Sequence, residues 1–127
     1  MNKARFFLCE HCGNLVGMIE ASGASIVCCG HDMKELVPNT VEASAEKHLP
    51  VAEQDGNIIN VKVGSVAHPM LEEHHIAWIY LETVNGGQRK VLKVGSAPEA
   101  SFALTDDDKA IAVYEYCNIH GLWKTEL

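Results

Sequence analysis

At 127 residues, with a net charge of −7, 47% hydrophobic and 21% charged residues, the chain has room for one ordinary domain or two small ones and the composition of a folded protein. Its acidic balance argues against nucleic acid and anionic membranes as partners, because both require concentrated basic surface. The longest apolar run, residues 76–81, ends at Glu82 and falls far short of the ~20 residues that cross a bilayer.

In chain order, Lys3 and Arg5 precede only Phe6, Phe7 and Leu8, too few apolar residues for a signal-peptide core, so a cytoplasmic location is expected. A cytosolic protein keeps its thiols reduced, and five cysteines therefore point to metal ligation rather than disulfides. Four of them, Cys9, Cys12, Cys28 and Cys29, fall in the first segment and form a four-sulfur set suited to tetrahedral iron or zinc. Adjacent cysteines in an extended chain splay apart, which predicts a distorted tetrahedron. Gly13 and Gly30 each follow a cysteine pair, where a positive φ would turn backbone N–H groups toward sulfur. His11 and His31 are read as solvated, since four sulfurs already fill the site. A tetrathiolate centre has no open position and can only accept and pass electrons. A segment this small also cannot bury enough surface to fold unaided, and it needs its metal.

Composition changes near Pro38 and Asn39, which places a boundary there and predicts domains over residues 1–37 and 38–127. Strands are predicted over Gly56–Val63, His75–Thr83, Gln88–Val94, Glu99–Leu104 and Ala110–Cys117, with turns at Asp55-Gly56, Asn85-Gly86-Gly87, 95–98 and Asp106-Asp107-Asp108. Residues 76–81 do not alternate, as expected of a central strand covered on both faces. No helical periodicity separates the strands. The predicted class is all-β: a small metal-stabilised domain followed by an immunoglobulin-like sandwich of about seven strands.

Within the second segment Cys117 ends an apolar strand, with His120 one short turn away. His48, His68 and His74 occupy loops or strand ends that can converge at one pole of a sandwich. His74 and His75 are neighbours, and neighbours in extended chain face opposite sides, so at most one of them can ligate; periodicity leaves the choice open.

Six motifs run in order along the chain: Cys9-x-x-Cys12-Gly13-Asn14, Cys28-Cys29-Gly30-x-x-Met33, Glu46-Lys47-His48-x-Pro50, His68-Pro69-Met70, Glu73-His74-x-Ile76-x-Trp78 and Cys117-Asn118-x-His120. Together they resemble desulfoferrodoxin, the two-iron superoxide reductase family with a desulforedoxin-like N-terminal domain and a neelaredoxin-like C-terminal one. The resemblance implies two non-haem irons, one held by Cys9, Cys12, Cys28 and Cys29, the other by His48, His68, His74, His120 and Cys117, and it selects His74 over His75. It implies reduction of superoxide to hydrogen peroxide with electrons from outside, by a homodimer served by a rubredoxin-like donor. Lys47, beside ligand His48, is then expected to attract the anion despite the net charge, and the Glu46 carboxylate to occupy the open position of the oxidised centre. The competing readings are a non-enzymatic iron electron-transfer protein, against which an open coordination position argues, and a zinc-stabilised interaction module, which iron content would exclude.

Overall fold

A computed structural model of the chain describes residues 3–127; residues 1 and 2, where the first expected domain begins, lie outside the described residues. The chain divides into two compact units between Val37 and Pro38.

The first unit is built from very short strands: β1 (Phe6–Leu8), β2 (Leu15–Gly17), β3 (Val27–Cys28), β4 (His31–Asp32) and β5 (Lys34–Glu35). They form a three-stranded sheet, β2-β1-β5, and a separate β3-β4 hairpin. Phe7, Cys9 and Met33 are its buried apolar cluster, with Met18, Ile26 and Cys28 packed against them. Two of these six are cysteines, so apolar packing and the sulfur site are one structure. The Arg5 guanidinium grips the Glu35 carboxylate with two bonds of 2.8 and 2.9 Å across the β1-β5 edge. Both side chains are exposed, and the pair contributes little.

The second unit opens with a one-turn helix, α1 (Ala45–His48), where no helix is predicted; four residues are too few to reveal a 3.6-residue period. Seven strands follow: β6 (Pro50–Asp55), β7 (Ile58–Val63), β8 (Ile76–Thr83), β9 (Gly86–Val91), β10 (Glu99–Ala103), β11 (Ala110–Cys117) and β12 (Gly121–Glu126). They make a three-stranded sheet, β10-β7-β6, and a four-stranded sheet, β12-β11-β8-β9, all antiparallel. This is the expected immunoglobulin-like sandwich. In β7, Ile59, Val61 and Val63 point inward while Asn60 and Lys62 face solvent, the alternation of a half-buried strand. Their inward side chains pack with Ile79, Leu81, Phe102 and Val113 in one core.

One turn lies off its predicted place. Gly86 and Gly87 belong to β9, and Val84-Asn85 makes the turn, because Thr83 pairs with Gly86. Gly87 sits where even a methyl group would run into Tyr80, so its smallness serves packing rather than turning.

The strand ends position the site. Pro50 pairs with Val63, and Cys117 pairs with both Ile76 and Gly121, so segments 45–49, 64–75 and 117–121 emerge from adjoining strand ends. The β8-β11 register slips between Tyr116 and Cys117, leaving Ala77 as an extra residue. Such a bulge re-aims the side chains beside it, here that of Cys117.

Candidate metal centres

The first centre is assembled by two turns. After β1, the Gly13 N–H donates to the Cys9 carbonyl and the Cys9 N–H to the Asn14 carbonyl, both at 2.8 Å, closing a knuckle around Cys9 and Cys12. Gly13 has the expected positive φ of 86°, but its N–H serves that carbonyl; the N–H that reaches sulfur is that of Cys12, 3.5 Å from Cys9 Sγ. The second turn joins β3 to β4. Cys29 and Gly30 are its two central residues, with φ of 54° and 76°, as a type I′ hairpin turn requires. Cys29 is thus left-handed rather than extended, which brings the adjacent thiols together instead of splaying them. Asn14 Nδ2 donates to Cys28 Sγ at 3.6 Å. His11 and His31 are exposed, as predicted.

The four sulfurs lie within 4.8 Å of one another, Cys12 and Cys28 at 3.6 Å and Cys28 and Cys29 at 4.0 Å. Ligands of a tetrahedral centre with metal–sulfur bonds near 2.3 Å stand about 3.8 Å apart, so the spacing fits a metal. Electrostatics points the same way. The Cys12 N–H lowers Cys9 to about 6, whereas sharing of protons with Cys12 and burial push Cys29 up to about 12. One thiolate forms readily, whereas Cys28 and Cys29 ionise only at a cost, which a cation among them removes.

In the second unit the donor atoms of His48, His74, His120 and Cys117 lie within 4.8 Å of one another. His68 stands outside that set by distance but completes the ring: its centroid is 4.6 Å from those of both His48 and His74. Rings adjacent in the order His48, His68, His74, His120 meet nearly edge to face, at 76–86°, whereas His48 and His74, on opposite sides, are 6.3 Å apart and within 30° of parallel. This is the arrangement of four imidazoles around one point.

In two of the rings hydrogen bonds fix which nitrogen faces that point. His48 Nδ1 lies 2.7 Å from the Ser44 carbonyl and His68 Nδ1 2.7 Å from the Pro69 carbonyl. A carbonyl only accepts, so both Nδ1 atoms carry hydrogen, and in the neutral ring Nε2 is then a bare lone pair. Burial lowers the pKa of His48 and takes that of His68 down to about 4, which keeps both rings neutral. Yet His48 Nε2 stands 3.1 Å from His68 Nε2 and 3.0 Å from His120 Nδ1. The lone pairs of His48 and His68 repel at that distance unless a cation lies between them. Neighbouring ligands at right angles around a metal with bonds near 2.1 Å are separated by about 3.0 Å. His74 Nε2 is buried with no hydrogen-bond partner, an orphan that a metal would satisfy.

Cys117 is fully buried, and the His120 N–H donates to its sulfur at 3.4 Å. Trp123, buried in β12, stacks on His48 at 5.0 Å and donates its indole N–H to the His120 carbonyl, 3.1 Å away, tying down two rings at once. A lone tryptophan in the sequence gives no sign of this task. His75 is excluded from the ring. Its Nδ1 donates to the Leu71 and Glu72 carbonyls at 2.9 and 3.1 Å, and its N–H donates to Asn118 Oδ1, so it braces the loop that carries His74. Glu46 and Lys47 lie exposed on α1 next to buried His48. The Lys47 ammonium is close enough to help lower both His48 and His74, although burial is the larger cause for each.

Fold and donor sets thus define an all-β metalloprotein with a tetrathiolate centre in its first unit and an imidazole–thiolate centre in its second. Residues 40–126 match the family described as Desulfoferrodoxin, and residues 1–36 match Desulfoferrodoxin, N-terminal domain. The chain belongs to the desulfoferrodoxin family, and its two cradles are that family's iron sites, one of four cysteines and one of four histidines with a single cysteine. A desulfoferrodoxin from Nitratidesulfovibrio vulgaris is 46% identical over 125 residues, 98% of either chain. The superoxide reductase from Treponema pallidum superposes with a TM-score of 0.84 at 46% identity, covering 98% of this chain and 100% of its own. A one-iron superoxide reductase from Giardia intestinalis is 33% identical with a TM-score of 0.54, covering 65% of this chain and 99% of its own.

Proposed function

We propose that the chain is a superoxide reductase, an oxidoreductase that adds one electron and two protons to superoxide and releases hydrogen peroxide. The observation that carries this reading is the ring of four imidazoles, with the bare Nε2 atoms of His48 and His68 3.1 Å apart, closed by the Cys117 thiol. His48, His68, His74, His120 and Cys117 are its ligands, with His68 as the fourth imidazole. Held by these ligands, iron would supply the electron as a ferrous–ferric couple. The relatives and neighbours named superoxide reductases favour catalysis over plain electron carriage.

The remaining work falls to the chain's own groups. Lys47 puts a positive charge at the rim of the site, where it draws in the superoxide anion and offsets the net charge of −7. Glu46, on the same exposed turn, offers a carboxylate to the oxidised centre. Protons come from water, which an exposed rim admits. Residues 1–37 form the tetracysteine iron domain and residues 38–127 the reductase domain. The protein works in the cytoplasm as a homodimer in electron transport, served by a rubredoxin-like donor; no helix among the described residues is long and apolar enough to cross a membrane.

Superoxide added to the reduced, iron-quantified protein should yield one peroxide per superoxide consumed. Lys47→Ala should slow the reaction roughly tenfold or more and flatten its salt dependence. No reaction at full iron loading would overturn the assignment.

A further inference from the structure

Helix α1 carries both a ligand, His48, and the lysine assigned to the substrate, yet it cannot hold itself. It has four residues and no side-chain cap at Ser44. A single turn is not stable alone. Its own bonds are few: the Lys47 N–H donates to the Ser44 carbonyl at 3.2 Å and the Leu49 N–H to the Ala45 carbonyl at 2.9 Å.

The loop after β7 supplies what is missing. The Glu46 carbonyl accepts from the Val66 N–H at 3.1 Å and from the Ser65 hydroxyl at 3.2 Å, and the Gly64 N–H donates to the Leu49 carbonyl at 3.1 Å. Gly64 is buried with a φ of +85°, and a Cβ there would stand 2.3 Å from the Val66 carbonyl oxygen, 2.8 Å from that of Glu46 and 2.8 Å from Lys47 Cα. All three are backbone atoms, so the loop lies against the backbone of Lys47 with no room for any other residue. The same loop runs on to His68, whose N–H donates to the Val63 carbonyl at 3.3 Å.

We propose that Gly64 and Ser65 are positioning residues for Lys47: clamped on the Glu46 carbonyl and the Lys47 backbone, they set where the ammonium stands at the rim of the imidazole site. The functional part rests on the reading of Lys47 given above. The lysine stem is long and flexible, and the only rigid reference for its charge is the backbone from which it grows. A turn released from the loop would leave iron bound through the other ligands but spread the charge over a wider volume.

The test compares wild type, Ser65→Ala, Ser65→Thr, Gly64→Ala, Lys47→Ala and the Ser65→Ala/Lys47→Ala double variant, all iron-loaded with matched iron content and visible spectra. Hydrogen exchange reads the clamp, and the rate with superoxide at several ionic strengths reads its consequence. Ser65→Ala should speed exchange of the Lys47 and Leu49 amides about fivefold while those of β8 and β11 stay unchanged. It should slow the reaction roughly two- to fivefold and flatten its salt dependence, add nothing in the Lys47→Ala background, and be reversed by Ser65→Thr. Gly64→Ala should do the same more strongly; if it fails to load iron, Ser65→Ala carries the test. Unchanged exchange in Ser65→Ala, or the same slowing with and without Lys47, would overturn the clamp. A normal rate in Lys47→Ala would instead overturn the reading of the lysine, and exchange alone would then decide whether the clamp exists.

Discussion

A single histidine on a β surface is an ordinary polar residue; four of them aimed at one point, three of them held below the usual imidazole pKa, are not. The difference lies in burial and two carbonyls. Burial lowers His48, His74 and His68, the last to about 4, while the Ser44 and Pro69 carbonyls dictate which nitrogen keeps its hydrogen. An unfolded histidine titrates near 6.5. Between roughly pH 4 and 6.5 the unfolded chain therefore binds protons that the folded one refuses, and the metal-free protein should lose stability as pH falls through that window. Thermal unfolding of the metal-free protein at pH 7 and pH 5 checks this in a Glu115→Gln background, which removes an opposing titration in the same window, and a midpoint that does not fall there would refute it. Glu115 has the opposite sign. It is fully buried in β11, neither carboxylate oxygen has a hydrogen-bond partner, and burial pushes it up to about 9 from an ordinary value of 4.5. From about pH 4.5 to 9 the folded chain keeps a proton that the unfolded chain has released, so this group costs stability increasingly as pH rises. Glu115→Gln, which cannot ionise, should gain on wild type steadily across that range and no further above it, as read from unfolding midpoints at matched iron content.

Among the elements, what the amino-acid order discloses depends on periodicity and turn chemistry. The alternation of Ile59, Val61 and Val63 with polar neighbours identifies β7, and the two-sided burial of residues 76–81 identifies β8 as central. The β6-β7 turn is equally readable: Asp55 pairs with Ile58, leaving Gly56 and Asn57 as the turn, and Gly56 has a φ of 62°. Any other residue is strained there, so Gly56→Ala should destabilise the second unit by about 1 kcal/mol, a drop of roughly 4–8 °C in its melting temperature. The ligand-bearing segments are less legible. Nothing local announces the bulge at Ala77 or the one-turn helix under Lys47, because each is imposed by neighbours distant in sequence. The ligands can be collected from the motifs, whereas their ring order, the bare nitrogens and the bracing by Trp123 and His75 require the folded chain.

For the whole molecule, the two units differ in what holds them together. The second has a continuous sandwich core from Ile59 to Cys117 and folds around it. The buried cluster of the first consists of Phe7, Cys9 and Met33, with the sulfur site part of it, so its folding free energy must come largely from the metal. Removing Cys9 takes away a ligand and a core side chain at once. Cys9→Ser should bleach the first centre and melt the first unit, seen as lost dispersion in the amide signals of residues 3–37, while those of the sandwich persist. Whether catalysis survives is a separate matter, and the shorter relatives bear on it. The Giardia one-iron superoxide reductase aligns over 99% of its length with 65% of this chain, so a protein of that name does without the remainder. Superoxide reduction by Cys9→Ser should accordingly stay within about twofold of wild type when a chemical reductant supplies the electrons and iron in the imidazole site is matched. Complete loss under those conditions would mean that the tetrathiolate iron takes part in the chemistry itself. A loss seen only with a protein donor would assign it to electron delivery.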